Sequence, residues 1–316
     1  MRSLWKTHPP LTAASLGLVA ALAAFAIGLL VDPRTIAGAP AWLKPAKFAS
    51  SIAIYGFTLV WLFRFLPGWP RTRAGVGWIT AVVGPLETGL VALQAWRGTT
   101  SHFNVGTPFD RTVFGVMGAA ILVQWIASLA LIVAAWRQRF DDRALGSALR
   151  AGLLLAVVGA AMGGLMTRPT AAQLETMRST GRMAVAGAHT VGAADGGRGL
   201  PATMWSTEHG DLRVPHFLGL HALQVLPLIA VALGRLRQWI TSEERLRLVR
   251  LAGFSYAALT AILLWQALRG QSVAAPDGTT LVALIAWALG TAAAFARVRG
   301  RASDVGHIPA LAMRGQ

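Results

Sequence analysis

Residues 11–31 read LTAASLGLVAALAAFAIGLLV and contain no charged side chain. A helix that crosses a bilayer needs about 20 consecutive apolar residues, so this stretch by itself predicts a transmembrane helix. A cleaved signal peptide is the alternative, because AGA at 37–39 resembles a cleavage site. The apolar segment of a signal peptide is only about 7–15 residues long. We therefore predict that residues 11–31 are retained as the first span.

Seven further apolar runs follow, which gives about eight transmembrane helices in an all-α polytopic integral membrane bundle. Hydrophobic residues make up 54% of the 316-residue chain and charged residues only 13%, whereas a soluble domain carries about 25% charged residues. The chain has no cysteine, which excludes disulfides, thiolate metal sites and cysteine nucleophiles. The further runs are 46–66, 76–96, 112–136, 147–167, 215–235, 249–268 and 279–297.

The basic residues predict an orientation and exclude a nucleic-acid partner. The formal net charge is +16, but the arginines and lysines lie in short clusters between apolar runs, and no nucleic-acid-binding motif accompanies them. With the N-terminus inside, the inner segments hold 18 basic residues and the outer segments hold 11. Cytoplasmic loops carry the excess of Lys and Arg. The sequence thus predicts a multi-pass protein of the inner (plasma) membrane with both termini in the cytoplasm.

An internal repeat divides the predicted bundle into two parallel four-helix halves. LQAWRG at 93–98 matches WQALRG at 265–270, and LKPAKF at 43–48 resembles LRVPHF at 212–217. The predicted halves are residues 1–138 and 139–316, and the second half has a long outer loop at 168–213. Parallel repeats are related by an axis along the membrane normal, and binding sites in such proteins often lie between the halves.

Polar residues are concentrated at the predicted outer side of the membrane. The segment EHGDLRVPHFLGLHALQ (208–224) places three histidines at the start of the sixth span, and five of the seven histidines of the chain lie on this side. Glu87 is the one acid inside a span, about 13 Å deep at 1.5 Å per residue. A carboxylate in hydrocarbon costs about 2.5–3.5 kcal/mol on insertion scales, so it is expected to face protein or water and to have a partner.

These residues predict an outward-facing His/Glu site. Glu87 and Gln94 lie on one stripe of the third span with Arg97, and His221 lies one turn before Gln224 on the sixth. The cofactor suggested by this set is a divalent metal or a single haem. The predicted roles are catalytic for Glu87, His102 and His221, substrate-binding for Gln94, Arg97, Gln224 and Asp211, and metal-ligating for His102, His216 and His221.

Three functions fit the sequence. The first is a membrane-embedded enzyme or metal-binding protein with an outward site; the second is a proton-coupled transporter of a small molecule or ion; the third is an assembly protein whose long loop binds a partner. A transporter needs polar groups along its whole path, and the inner half offers few beyond Gln124 and Arg150. The sequence therefore favours the first function, with the lipid bilayer and a small-molecule or ion ligand as partners.

Overall fold

The computed structural model describes residues 2–236 and 238–305, and most of these residues are helical. Within this part of the chain, eight helices are long and apolar enough to cross a membrane. The predicted all-α polytopic bundle is thereby confirmed. The helices are α1 (Arg2–Thr7), α2 (Pro9–Val31), α3 (Leu43–Phe63), α4 (Pro70–Trp96), α5 (Pro108–Arg137), α6 (Arg143–Met166), α7 (Ala171–Thr180), α8 (Arg213–Arg235), α9 (Ser242–Leu268) and α10 (Gly278–Val305).

Side-chain caps fix where several spans begin. The first amides of a helix have no partner within the helix, and a side-chain oxygen or ring nitrogen just before it can accept from one of them. Thr107 accepts from the amide of the third residue of α5, Asp142 does the same for α6, and Thr241 for α9. The ring of His8 has this role for α2. These spans therefore start at positions that the local sequence specifies.

The two sets of four spans have the same order of helix contacts. In the first set, α2 contacts α3 and α4, α3 contacts α4, and α5 packs mainly on α4. In the second, α6 contacts α8 and α9, α8 contacts α9, and α10 packs on α9. Contacts between α5 and α6 join the sets. This order is what a tandem repeat predicts, and the division at residue 138 stays a proposal that the contacts support.

Equivalent arginine contacts also occur in both sets. At the connection from α4 to α5, Arg97 pairs with Asp110, and at the connection from α9 to α10, Arg269 pairs with Asp277. At the opposite end of the bundle, Arg73 donates to the carbonyl of Phe63 in α3, and Arg245 donates to the carbonyl of Ala230 in α8. Each arginine of the first set thus bonds to the same kind of group as its counterpart in the second set.

Helices α6 and α8 make the closest crossing in the bundle. Gly159 and Gly219 face each other there, and a Cβ placed on Gly159 would lie 2.7 Å from the backbone of Gly219. A Cβ on Gly152 would lie 2.9 Å from the carbonyl oxygen of Ala222. Small residues at such positions let helix backbones approach within a membrane. The glycines of α6 therefore hold α8 at a fixed distance.

The two ends of the bundle differ in chemistry. One end carries α1 and the connections α3–α4, α5–α6 and α8–α9; we call it the arginine-rich end. The other carries residues 32–42, 97–107, 167–212 and 269–277; we call it the loop-rich end. A single apolar cluster fills the interior towards the arginine-rich end and includes Leu59 and Phe63 of α3, Leu149 of α6 and Leu226 of α8. Glu87 and Gln94 of α4, both buried, lie on the loop-rich side of this cluster.

The long loop 167–212 folds across the loop-rich end. It contains α7 and the two-stranded sheet β3 (Thr190–Val191) with β4 (Gly210–Asp211). A smaller two-stranded sheet, β1 (Thr35–Ile36) with β2 (Ala39–Pro40), lies in the first loop. The amide of Ala186 donates to Phe103 O at 2.8 Å, and Lys47 Nζ donates to Thr203 O at 3.0 Å. The long loop of the second set is thus bonded to both the 97–107 loop and α3 of the first.

Candidate functional site

Glu87 lies in the middle of α4 and is only 1% exposed. Its Oε2 atom is buried and, within the described chain, has no hydrogen-bond partner. Its Oε1 atom lies 3.7 Å from Nε2 of His102, which is beyond hydrogen-bonding distance. Buried polar atoms are nearly always bonded, and exceptions in native proteins often mark catalytic or ligand-binding groups. Glu87 therefore presents an unsatisfied carboxyl group to the interior.

His102 brings the 97–107 loop down onto Glu87. Its Nδ1 atom lies 3.1 Å from the hydroxyl of Ser101, and its ring packs against Phe48, Phe103 and Phe114. Burial lowers the pKa of His102 well below 6.5, and repulsion from Lys44, and from His189 and His216 when these are protonated, lowers that pKa further. The imidazole is consequently neutral at pH 7. The contact with Glu87 is thus a neutral polar contact and not an ion pair.

His189 enters the same cluster from the long loop, with Asp195 behind it. Nδ1 of His189 donates to Oδ2 of Asp195 at 2.5 Å, and Asp195 also accepts from the amides of His189 and Thr190. Burial alone would raise the pKa of Asp195, but these hydrogen bonds and the charge of His189 lower it overall. Because Nδ1 carries the proton, Nε2 of the neutral ring is a free base. His189 and Asp195 thus form an oriented carboxylate–imidazole pair.

His216 is oriented by the crossing of α6 and α8. Its Nδ1 atom donates to the carbonyl of Gly159 at 2.7 Å. The position of a Cβ on Gly163 would be 3.4 Å from the ring. As in His189, this bond leaves Nε2 unprotonated in the neutral imidazole. His189 and His216 both lie within electrostatic range of His102, so three imidazoles meet at the loop-rich end.

Lys44 supplies the amine of this cluster. Its side chain is half-buried in the first turn of α3 and interacts electrostatically with Glu87, Asp195 and Arg213. Among the described residues, no side chain or carbonyl is hydrogen-bonded or ion-paired to it. Lys47, one turn further, is already bonded to Thr203 O. Lys44 is therefore an amine without a fixed partner, within electrostatic range of a carboxyl group without one.

Phe103 holds the two loops together at the site. Its backbone has φ of 63°, in the left-handed region that residues other than glycine rarely adopt. The bond from the amide of Ala186 keeps it there, and its ring meets the ring of His189 with 4.8 Å between centroids. Gly187 lies so close that a Cβ would be 2.7 Å from this ring. Strained backbone of this kind is often found at functional sites.

Several residues predicted to bind substrate are engaged with other partners. Gln94 and Arg97 both donate to Oδ1 of Asp110, at 2.9 and 2.5 Å, and Asp110 is almost fully buried. Asp211 accepts from the guanidinium of Arg213 and from the amide of Ser206. Both networks stabilise loop connections beside the site. The substrate-binding role of Gln94, Arg97 and Asp211 stays a prediction.

His221 and Gln224 lie deeper than the cluster. Gln224 donates to the hydroxyl of Thr58 in α3 at 3.2 Å, and its Oε1 atom is buried with no partner among the described residues. No hydrogen bond, ion pair or ring contact in the described part of the chain involves His221. A similar group joins α3 and α5, where Tyr55 lies 3.3 Å from Ser128 and 3.5 Å from Gln124. These residues form a polar layer between the histidine cluster and the apolar interior.

The metal-binding prediction is not confirmed. Across residues 2–236 and 238–305, no three His, Asp or Glu side chains form a group that could hold a metal ion. The predicted set of His102, His216 and His221 is not assembled in the structure, since His216 is near His102 and no contact joins His221 to either. The free Nε2 atoms of His189 and His216 are the groups best suited to a metal or a haem iron, because their Nδ1 atoms already donate to oxygen.

Sequence reasoning missed three residues of the cluster, namely Lys44, His189 and Asp195. His189 and Asp195 lie in the long loop, whose path over the bundle no periodicity describes. Lys44 was counted only among the basic residues of the outer side. The resemblance of LKPAKF to LRVPHF was the available signal. It aligns the start of α3 with the start of α8, so that Lys44 corresponds to Arg213 and Lys47 to His216.

The chain matches no protein-family model, no curated protein and no solved structure.

Proposed function

We propose that this membrane protein is an enzyme that carries out proton-transfer chemistry on a small polar substrate, which enters from the loop-rich end. The observation that carries the proposal is the buried, unpaired carboxyl group of Glu87 beside His102 and Lys44. A buried carboxyl group, imidazoles with free Nε2 atoms and an unpaired amine are the groups that general acid–base catalysis uses.

Each group has a role that its surroundings support. Glu87 exchanges a proton with the substrate or with His102, since a shift of about 1 Å would bring the two into hydrogen-bonding distance. His189 acts as a base, because Asp195 holds its proton at Nδ1 and stabilises the ring when Nε2 takes a second proton. Lys44 binds a negative or strongly polar group of the substrate. His216 contributes a second free Nε2.

The predicted orientation makes this site face outward. The loop-rich end holds fewer basic residues than the arginine-rich end, and positively charged loops stay in the cytoplasm. We therefore propose an inner-membrane protein with cytoplasmic termini and a site open to the external side.

A panel of small carboxylates, phosphates and amines tests the proposal directly. Each compound is added to purified protein in lipid nanodiscs, and its conversion is followed by mass spectrometry. We expect at least one class to be converted by the wild type and not by Glu87→Gln. Glu208→Gln, which changes an exposed acid of the long loop, should convert the compound at the wild-type rate. Undiminished conversion by folded Glu87→Gln would overturn the proposal.

A divalent metal or a single haem remains the proposed cofactor alternative. Elemental analysis and a visible absorption spectrum of the purified protein test it. A stoichiometric metal or a Soret band that is lost in both His189→Ala and His216→Ala would assign the ligands. A metal retained in these variants and lost in His221→Ala would restore the set predicted from sequence.

A proton-coupled transporter is the second candidate, and the polar layer of Tyr55, Thr58, Gln124 and Gln224 favours it. Two amide oxygens in this layer, on Gln124 and Gln224, are buried without partners. The apolar cluster beyond the layer argues against a continuous path, because a charged cargo would have to cross it. An assay in reconstituted liposomes with an internal pH dye distinguishes the transporter from the enzyme. Proton flux that depends on a gradient of added compound and is lost in Gln224→Leu would support transport.

A further inference from the structure

The arginine-rich end contains a cavity of about 610 Å³ between α5, α6 and α9. Four arginines line it, together with one hydroxyl and aromatic rings, and its lining includes no acidic side chain. It lies at the opposite end of the bundle from the histidine cluster, and none of its residues takes part in the proposed chemistry. The polar lining residues are Arg139, Arg143, Arg150, Arg250 and Ser147.

The arginines of this cavity are not neutralised by carboxylates. Within the described residues, the side chains of Arg139 and Arg250 have neither a hydrogen bond nor an ion pair. Arg143 has only a 3.5 Å contact with Glu243, and both side chains are at least half exposed. Arg150 is fixed in place, because it donates to the carbonyls of Ala135 and Gln138 and lies over the ring of Phe140. Three of the four arginines thus have no carboxylate partner within the described part of the chain.

One wall of the cavity is apolar and faces the lipid. Trp136 and Leu154 line it and are 49% and 44% exposed on the outer surface of the bundle. Arg137 is the last residue of α5 and Arg143 the first of α6, so the cavity lies where the spans leave the hydrocarbon. Tryptophan is enriched at this depth. A ligand here would have its charge against the arginines and its apolar part along α5 and α6.

We propose that this cavity binds the phosphate headgroup of an anionic phospholipid, with its acyl chains along Trp136 and Leu154. Arginine forks bind phosphate oxygens in pairs, and basic pockets between transmembrane helices at the membrane surface recognise such headgroups. The lipid-exposed wall favours a phospholipid over a soluble phosphate, since a soluble anion gains nothing from it.

Lipid titration of the whole protein tests the proposal. Binding of phosphatidylglycerol and of phosphatidylcholine to detergent-solubilised protein is measured by native mass spectrometry. We expect clear preference for phosphatidylglycerol in the wild type, and affinity weaker by about tenfold or more in Arg139→Gln/Arg250→Gln, which removes two charges near the headgroup. These two side chains have no partner, so the variant should fold normally.

The matched control is Arg71→Gln/Arg235→Gln, which removes two exposed arginines from the same end outside the cavity. It should bind phosphatidylglycerol like the wild type. Equal binding by the cavity variant, or equal loss in the control, would overturn the proposal. A separate titration with inorganic phosphate identifies the source of the anion. Stabilisation by phosphate alone at the level given by the lipid would overturn the lipid assignment in favour of a soluble anion.

Discussion

Nε2 of His102 lies 3.7 Å from Oε1 of Glu87, so the 97–107 loop and the middle of α4 meet there. Nothing in the sequence between α4 and α5 forces this approach. It depends on Phe103, which holds the 97–107 loop against the long loop. The buried acid of the first set of spans is therefore reached by an imidazole from a loop of the same set, and two imidazoles of the second set lie within electrostatic range of that ring.

Acidification should destabilise the protein through His102. Burial and the charges of Lys44, His189 and His216 lower its pKa below 6.5 in the folded state, whereas the unfolded chain takes up the proton at about 6.5. The unfolded state then binds more protons below that pH, so this contribution is complete above pH 6.5 and is lost as the pH falls through the lower native pKa. The thermal midpoint in detergent should decrease between about pH 6.5 and pH 5.

The variant that checks this origin is His102→Gln, which keeps a polar side chain of similar reach. Its midpoint should depend less on pH over the same interval. Burial and Lys44 lower the pKa of His189 more than Asp195 raises it. His189 therefore also makes the thermal midpoint decrease on acidification, and part of the pH dependence should remain in the variant. If the thermal midpoint of His102→Gln depends on pH as steeply as that of the wild type, the effect comes from other groups.

Breaking the pair of Arg97 and Asp110 should destabilise the protein more than breaking the equivalent pair of the second set. Asp110 is 6% exposed, so Arg97→Ala leaves a buried carboxylate without its charged donor and should cost about 2 kcal/mol. Asp277 is 39% exposed, and water replaces much of what Arg269→Ala removes. Thermal unfolding of both variants measures the difference. Equal thermal midpoints of Arg97→Ala and Arg269→Ala would show that burial does not make the first pair more stabilising than the second.

Closing the gap between α6 and α8 should displace His216. A Cβ at residue 159 meets the backbone of Gly219 at 2.7 Å, so Gly159→Ala should cost about 1–3 kcal/mol by overpacking. Gly164→Ala on the same helix is the control, since nothing lies within 4 Å of its Cβ position. It should be neutral or slightly stabilising. A Gly159→Ala protein as stable as this control would contradict the crossing described above.

Lysine labelling should reveal the orientation of the bundle. The chain has only three lysines: Lys6 at the arginine-rich end, and Lys44 and Lys47 at the loop-rich end. A membrane-impermeant amine reagent added to intact cells, followed by peptide mass spectrometry, should modify Lys44 and leave Lys6 unmodified. In permeabilised cells, both Lys44 and Lys6 should be modified. Modification of Lys6 alone in intact cells would reverse the proposed topology.

The sequence predicted the spans well because hydrocarbon imposes a simple rule on length and polarity. Each apolar run became one helix, and the helix ends agree with local caps such as Thr107 and Asp142. The concentration of polar residues at one end was also predictable, since Glu87 and His102 are close to the same connection in the chain. Patterns in a single helix were enough for these conclusions.

The partners of these residues were not predictable in the same way. Gln94 and Arg97 share a stripe with Glu87, but Asp110 of the next helix accepts hydrogen bonds from both. His189 reaches the cluster only because β3 pairs with β4 and Asp195 accepts from its backbone and ring. Such contacts follow from how loops fold over a finished bundle. The strand period of two residues and the helix period of 3.6 residues carry no information about contacts between loops.

The bond between Ala186 N and Phe103 O has a consequence for how the protein is made. It joins a loop that leaves the ribosome early to one that leaves about eighty residues later, and α8 with His216 follows later still. A nascent chain that ends between α4 and α8 contains Glu87 but lacks His216. The proposed site is therefore complete only after the sixth span has inserted, and its groups come together at the opposite end of the bundle from α1.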